Sequence, residues 1–325
     1  WDRLLVATGS RPNRPPIPGI DLPGVHPCWT LADARALAGR AKKGRRVLQM
    51  GAGFIGCIIL EALAARGTKL TVVEMGDRMV PRMLGPKAGG MLRRWVEGKG
   101  VAVHTSAKVE AIAAKGGALE VRLAGGTTLP ADLVVSATGV RPNVAFLQGS
   151  GVECGRGVKA DGSCRTNVAG IYAAGDCAET FDALTGTYVV SAIQPNAADQ
   201  AVCAALNMVG HETKLKAVPL INILDTLGLV SASFGRWEGV PGGQHAERSD
   251  EGRYRFLHLE FEGDVLVGAN VVGLTEHVGV LRGLLEGKIR LGPWKDRLLE
   301  EPTRLAEAYL ATAQRQDEWT RPRPV

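Results

Sequence analysis

Three glycines and one acid carry the clearest chemistry in the chain. Gly51, Gly53 and Gly56 keep the spacing G-x-G-x-x-G, directly after the apolar run Arg46-Val47-Leu48-Gln49-Met50 and at the start of a helical pattern. In that setting Gly51 permits a tight turn, Gly53 lets backbone approach a pyrophosphate, and Gly56 lets helix and strand pack closely. Phe54 and Ile55 open the helix, whose N-terminal amide hydrogens are offered to phosphate. Glu74 closes the next strand, where a carboxylate accepts the adenine-ribose hydroxyls of NAD and repels the 2′-phosphate of NADP. NADH is therefore the expected dinucleotide and NADPH the less favoured one. Arg78 and Arg82 argue the other way, since a loop guanidinium can pair with a phosphate.

Gly175-Asp176 follows the apolar run Gly170-Ile171-Tyr172-Ala173-Ala174. This puts a carboxylate at a strand's C-terminal end, where open α/β sheets bind ligands. A hydroxyl-rich ligand fits there, and an N-cap or loop aspartate fits the spacing as well. Six cysteines, Cys28, Cys57, Cys154, Cys164, Cys177 and Cys203, lie far apart and form no C-x-x-C and no metal-type cluster. They read as ordinary buried thiols, and no metal is expected. The histidines, His211 and His258 among them, have no paired carboxylate or serine at a recognisable spacing and read as surface or packing residues.

These residues need a parallel sheet behind them, and the pattern supplies one. Strand 46–50, the glycine turn, a helix to Ala65 and strand 69–74 form a βαβ unit. A helix over 89–98, a strand over 101–104, two alternating strands at 109–112 and 119–123, and a closing strand at 133–139 follow. Upstream, an apolar strand at Leu4 leads into a proline-rich connector from Arg11 to Gly24, then a helix capped at Thr30 that ends near Gly44. Downstream, the strand at 170–174 and a helix from about Asn196 to Val209 complete a second dinucleotide-type region. After Lys214 the pattern changes to strands 256–261 and 265–269 around the turn at Gly263-Asp264, with helices near 278–285 and 302–313. The tail Arg321-Pro322-Arg323-Pro324-Val325 is expected to fray.

The fold class is thus α/β, with two Rossmann-like dinucleotide-binding domains and a C-terminal α+β domain. The expected boundaries are 1–42 and 143–214 for a flavin domain whose start is missing, 43–142 for an inserted NAD domain, and 215–325 for an interface domain that supports a homodimer. With 45% hydrophobic and 22% charged residues the composition is that of a globular protein. No stretch reaches the roughly 20 apolar residues of a membrane helix, and no signal-peptide pattern opens the chain. The expectation is a cytoplasmic protein. Its net charge of +6 comes from scattered Lys and Arg without aromatic interleaving, which argues against nucleic acid and allows an acidic protein partner.

Four runs in a fixed order carry a family resemblance: Leu5-Val6-Ala7-Thr8-Gly9-Ser10-Arg11-Pro12, the fingerprint at Gly51, Ala137-Thr138-Gly139-Val140-Arg141-Pro142-Asn143, and Gly170 to Ala178. The chain resembles the pyridine nucleotide-disulfide oxidoreductase superfamily over about Trp1 to Gly210. Within it, the match is closest to ferredoxin or rubredoxin reductases and to the FAD-binding part of nitrite reductase large subunits. The resemblance implies FAD beside NADH, with Asp176 on the ribityl chain and Ala7, Thr8 and Gly9 along the adenosine half. It also places Thr138, Gly139 and Gly175 at the cofactors. The helix beginning near Gln194-Pro195 points its N-terminus at the flavin's pyrimidine edge, favouring the anionic reduced form.

Departures from the family are equally specific. The family's first FAD glycine fingerprint lies on an N-terminal strand and helix that this sequence lacks, as does the segment that holds redox cysteines in disulfide reductases and NADH peroxidases. Ile58 stands where the family often has Glu near the nicotinamide. Thr275-Glu276-His277 lacks the Pro and the order of the glutathione-reductase signature, which argues against a dithiol reductase. The expected activity is an FAD-dependent NADH oxidoreductase passing hydride to flavin and electrons to an acidic ferredoxin- or rubredoxin-type carrier. No acid-base side chain is required, so no catalytic residue is assigned. The alternatives are an NADH oxidase, peroxidase or disulfide reductase with its cysteine upstream, and a non-catalytic NADH-binding module.

Overall fold

The computed structural model describes residues 1–182, 187–215 and 221–312. The chain packs as two compact units, one built from Trp1–Asn13 and Gly139–Val218, the other from Arg14–Thr138 and Pro219–Val325.

The larger unit is organised around a five-stranded parallel sheet in the order Val25–Pro27, Leu133–Ser136, Arg46–Met50, Lys69–Val73, Ala102–His104. Parallel strands need crossovers, and the helices Phe54–Ala65 and Pro86–Gly98 provide them on one face. Their apolar sides meet Val47, Val72, Leu133 and Val135, each at most 1% exposed. Each such side chain stabilises by about 1.5–3 kcal/mol relative to exposure. The opposite face, with Leu48, Met50 and Val73, is covered by a three-stranded antiparallel sheet of Val109–Lys115, Ala118–Leu123 and Thr128–Ala131. Directly after the proline-rich connector, Val25–Pro27 joins the parallel sheet at its edge, where a proline costs no ladder bond. The helix Leu31–Arg40 begins with a full capping box between Thr30 and Asp33 and stops four residues before Gly44.

The same unit contains a five-stranded antiparallel sheet in the order Ile221–Thr226, Leu229–Gly235, Val265–Val272, Arg255–Glu262, Gln244–Asp250. Helices Val278–Glu286, Pro293–Glu300 and Leu305–Thr312 pack against it. Asn270, 1% exposed, ties this sheet to the loop before helix Pro86–Gly98, accepting from the Gly85 N–H (2.8 Å) and donating to the Met83 carbonyl (3.0 Å). The tail from Arg321 to Val325 lies outside the described residues.

The smaller unit is held by the parallel pair Leu4–Val6 with Ile171–Ala173 and the antiparallel pair Ser10–Pro12 with Val140–Pro142. Its main helix is Gln194–Met208, two residues earlier at its start than the apolar pattern suggests because Pro195 fits a first helical turn. No described helix in either unit is long and apolar enough to cross a membrane.

Candidate dinucleotide sites

Each fingerprint glycine is required for a different steric reason. Gly51 has φ +100°, and a Cβ there would stand 2.4 Å from the Ala137 carbonyl oxygen. At Gly56 a Cβ would stand 2.5 Å from the Gly51 carbonyl oxygen, so helix Phe54–Ala65 can approach its strand only without a side chain. Gly53 differs: no atom lies within 4 Å of where its Cβ would be. It is the N-cap of the helix, makes no side-chain cap, and is followed by a first turn without acidic residues. The first amide hydrogens of a helix have no partner inside it, so the open space above Gly53, Phe54 and Ile55 is a cradle facing donors. A pyrophosphate fits that cradle by charge and by room.

Glu74 stands just past the end of strand Lys69–Val73 and is half-buried. One carboxylate oxygen accepts the Ala52 N–H (2.6 Å) and the other the Gly76 N–H (2.7 Å). The acid therefore braces the glycine turn, and each oxygen keeps a further lone pair that can accept a hydroxyl. The loop beyond it is strained: Val80, β-branched, takes φ +49° while its N–H donates to the Ala52 carbonyl (2.8 Å). Such a conformation costs on the order of 1–3 kcal/mol and persists where the surroundings hold it. Arg78, one of the two arginines that argue for NADPH, is already engaged. Its Nε donates to the Leu84 carbonyl (2.7 Å) and its Nη1 to Asp77 (2.7 Å). Arg82 is exposed. Ile58 lies on the exposed side of the helix, 52% exposed. Thr138 lies just after strand Leu133–Ser136, within 3.4 Å of the Ser136 hydroxyl.

In the smaller unit, the strand ends at Val6 and Ala173 lie side by side, so Ala7-Thr8-Gly9 and Gly175-Asp176 leave the sheet together. Asp176 Oδ2 accepts the Ser10 hydroxyl (2.7 Å). Thr8 and Asn143 clasp each other, the Thr8 hydroxyl donating to the Asn143 carbonyl (2.7 Å) and the Asn143 amide to the Thr8 carbonyl (3.0 Å). Gly9 (φ +66°) has nothing within 4 Å of its Cβ position, and Gly139 (φ +88°) has only the Asn13 amide, at 3.4 Å. Gln200, 4% exposed on helix Gln194–Met208, accepts the Gly175 N–H (2.8 Å) and so fixes the turn that carries Asp176. Gln194 and Pro195 open that helix, which has no side-chain cap and no acidic residue in its first turn. An adenosine- and polyol-bearing cofactor fits these donors and acceptors: a carboxylate for hydroxyls, an open glycine, and an uncapped helix end for negative charge.

Gln200 had no signal in the sequence beyond its helical position. Two readings of side chains need revision. Cys154 is exposed and Cys28 half-buried, so not all six thiols are core residues. His258 does have a carboxylate partner, Glu260, at 2.7 Å on the same strand. Burial pushes the Cys57 thiol up to about 12 and raises Cys164 as well, which makes both poor nucleophiles.

The family model described as pyridine nucleotide-disulphide oxidoreductase matches residues 1–204. The chain belongs to this family. Its members are FAD-dependent NAD(P)H oxidoreductases, so FAD and a nicotinamide dinucleotide are the cofactors of the family. Over 308 residues the chain is 33% identical to the epsilon subunit of the NADH-dependent phenylglyoxylate dehydrogenase of Aromatoleum evansii, covering 93% of this chain and 72% of that one. It is 34% identical over 225 residues to an NADH oxidase of Methanocaldococcus jannaschii, covering 68% of this chain and 50% of the relative. Among solved structures, the ferredoxin reductase for the CYP199A2 system of Rhodopseudomonas palustris superposes with a TM-score of 0.84 at 28% identity, covering 95% of this chain and 75% of that one. The chain thus spans from half to three quarters of the length of these relatives.

Proposed function

We propose that the chain takes hydride from NADH onto FAD and delivers the electrons to a small acidic electron-carrier protein. The observation that carries this reading is the Glu74 carboxylate braced against a glycine turn whose central Gly53 faces open space. The helix start at Gly53, Phe54 and Ile55 binds the pyrophosphate, and Glu74 orients the adenine ribose while disfavouring a 2′-phosphate. With Arg78 held by Leu84 and Asp77, that loop position offers no free guanidinium to offset the repulsion. Asp176, steadied by Ser10 and by the Gln200–Gly175 contact, receives the ribityl hydroxyls. Ala7, Thr8 and Gly9 line the adenosine half, Thr138 and Gly139 stand beside the two cofactors, and the helix end at Gln194-Pro195 favours negative charge on the ring. When bound, FAD accepts the two electrons of a hydride together and can release them singly.

The Rhodopseudomonas relative is a ferredoxin reductase, and 39 basic against 33 acidic side chains here favour encounter with an acidic carrier. The Methanocaldococcus relative is an NADH oxidase, which makes oxygen the second acceptor to consider. The protein, reconstituted with FAD, should reduce a ferredoxin with NADH faster than it consumes oxygen; oxygen uptake that is unchanged by ferredoxin would support the oxidase reading. Glu74→Ala should weaken NADH about tenfold, through loss of both the ribose acceptor and the brace on Ala52, while NADPH binding holds or improves. An unchanged NADH to NADPH ratio in that variant contradicts the role given to the acid.

A further inference from the structure

We propose that Gln49 is a positioning residue for the dinucleotide turn, an amide strut that holds both ends of the glycine fingerprint in the shape the pyrophosphate requires. The inference rests on the reading of that turn as the NADH site and goes beyond it, because no part of Gln49 belongs to the fingerprint. Gln49 lies in the middle of the parallel sheet, paired with Val72 on one side and Val135 on the other, and is 0% exposed, as both valines are. A primary amide in such a row is costly, since burial removes it from water and an apolar side chain would pack there without loss. The structure shows what the amide does instead. Its Nε2 donates to the Gly51 carbonyl (2.9 Å) and to the Gly56 carbonyl (2.9 Å), the first and last residues of the turn.

These two carbonyls bracket the helix start at Gly53, Phe54 and Ile55, whose amide hydrogens have no partner inside the helix. The Gly51 carbonyl is also the atom a Cβ at Gly56 would strike, so the strut spans the closest approach of turn and helix. Oε1 is buried and accepts from no described protein group, so the two donor bonds to the fingerprint carbonyls are what offsets the burial of the amide. A strut that pre-shapes the turn lowers the ordering cost when the ligand binds.

Gln49→Met tests this, because it keeps length and apolar packing while removing both donors together with the orphaned acceptor. For the FAD-reconstituted protein we expect Kd for NADH and for ADP-ribose to rise by the same factor, on the order of fivefold. KM for NADH should rise likewise with kcat unchanged, and the melting temperature should stay within about 3 °C of the parent's. Amide hydrogen exchange across Gly51–Gly56 in the ligand-free protein should quicken in the variant. Equal affinity in parent and variant overturns the proposal, as does a loss of affinity that only tracks a lower melting temperature. If the parent itself fails to bind NADH while exchange still quickens, the strut stands and the dinucleotide reading of the turn falls; if exchange is also unchanged, both fall.

Discussion

Gly53→Ala is expected to fold as the parent does and to bind NADH at least tenfold more weakly. Gly53 has φ −74° and ψ −173°, a backbone conformation any residue adopts, and its Cβ position is more than 4 Å from every neighbouring atom. The protein therefore has room for alanine. Alanine is a poorer N-cap than glycine by up to about 1 kcal/mol, which lowers the melting temperature by no more than about 4 °C. The methyl does occupy the space above the uncapped helix start, where a phosphate must come within hydrogen-bonding distance of backbone amides. Moving the phosphate out by even one methyl radius sacrifices those charge-assisted bonds, each worth about 1.5–3 kcal/mol. Isothermal titration with NADH and a thermal melt on the same preparation read the two effects separately. Undiminished NADH binding would mean that the open space above Gly53 is not where the dinucleotide lies.

Gly51→Ala should do the reverse, failing as a fold before it fails as a binder. Its φ of +100° is outside the range that a side chain tolerates, and its Cβ would stand 2.4 Å from the Ala137 carbonyl oxygen, a backbone atom on the neighbouring strand's exit that cannot rotate away. Strain in the backbone and displacement of the two inner strands' exits together cost about 3 kcal/mol or more, a fall in melting temperature of roughly 6–12 °C. Denaturant melts measure this without any ligand. A variant that melts with the parent would show that the turn can be rebuilt around a side chain, and the division of labour among the three glycines would be wrong.

That division was legible in the sequence because the constraint is local. A three-residue turn between a strand and a helix has few solutions, and glycine at its two ends and at the third helical position marks one of them. Glu74 was legible for the same reason, lying at the next strand's end. Helices were legible where apolar residues recur at helical spacing, Pro293–Glu300 being missed, and the hairpin around Gly263-Asp264 where a turn signal separates alternating strands. Other features depend on partners far away in the chain. Val25–Pro27, between the connector that ends at Gly24 and the helix capped at Thr30, carries no strand pattern of its own, and only its pairing with Val134 to Ser136 makes it a strand. Gln244–Asp250 is almost wholly polar because it is an exposed edge strand, so no alternation announces it. In Leu229–Gly235 the buried residues include Ser231 and Ser233, which invert the expected pattern.

Side chains that support the sites from behind were the least readable. Gln49 sits in an apolar strand as an apparent exception, Gln200 is one polar residue among several on its helix, and Asn270 bonds a loop 185 residues away. None has a spacing rule, because each acts through a backbone group whose position only the folded chain defines. The pairing of His258 with Glu260 belongs to the same class: two residues apart on a strand, they share a face and meet only because the strand forms.

The central claim is that this chain passes electrons from NADH to flavin, and one titration addresses it directly. The protein, reconstituted with FAD and kept anaerobic, is titrated with NADH and separately with NADPH while flavin absorbance is followed. The account predicts that the flavin band bleaches with NADH in proportion to bound flavin, and that NADPH needs at least about tenfold higher concentration for the same effect. NADH that binds without bleaching retained flavin, or a protein that binds NADH and holds no flavin at all, would contradict the account and leave a dinucleotide-binding module without turnover.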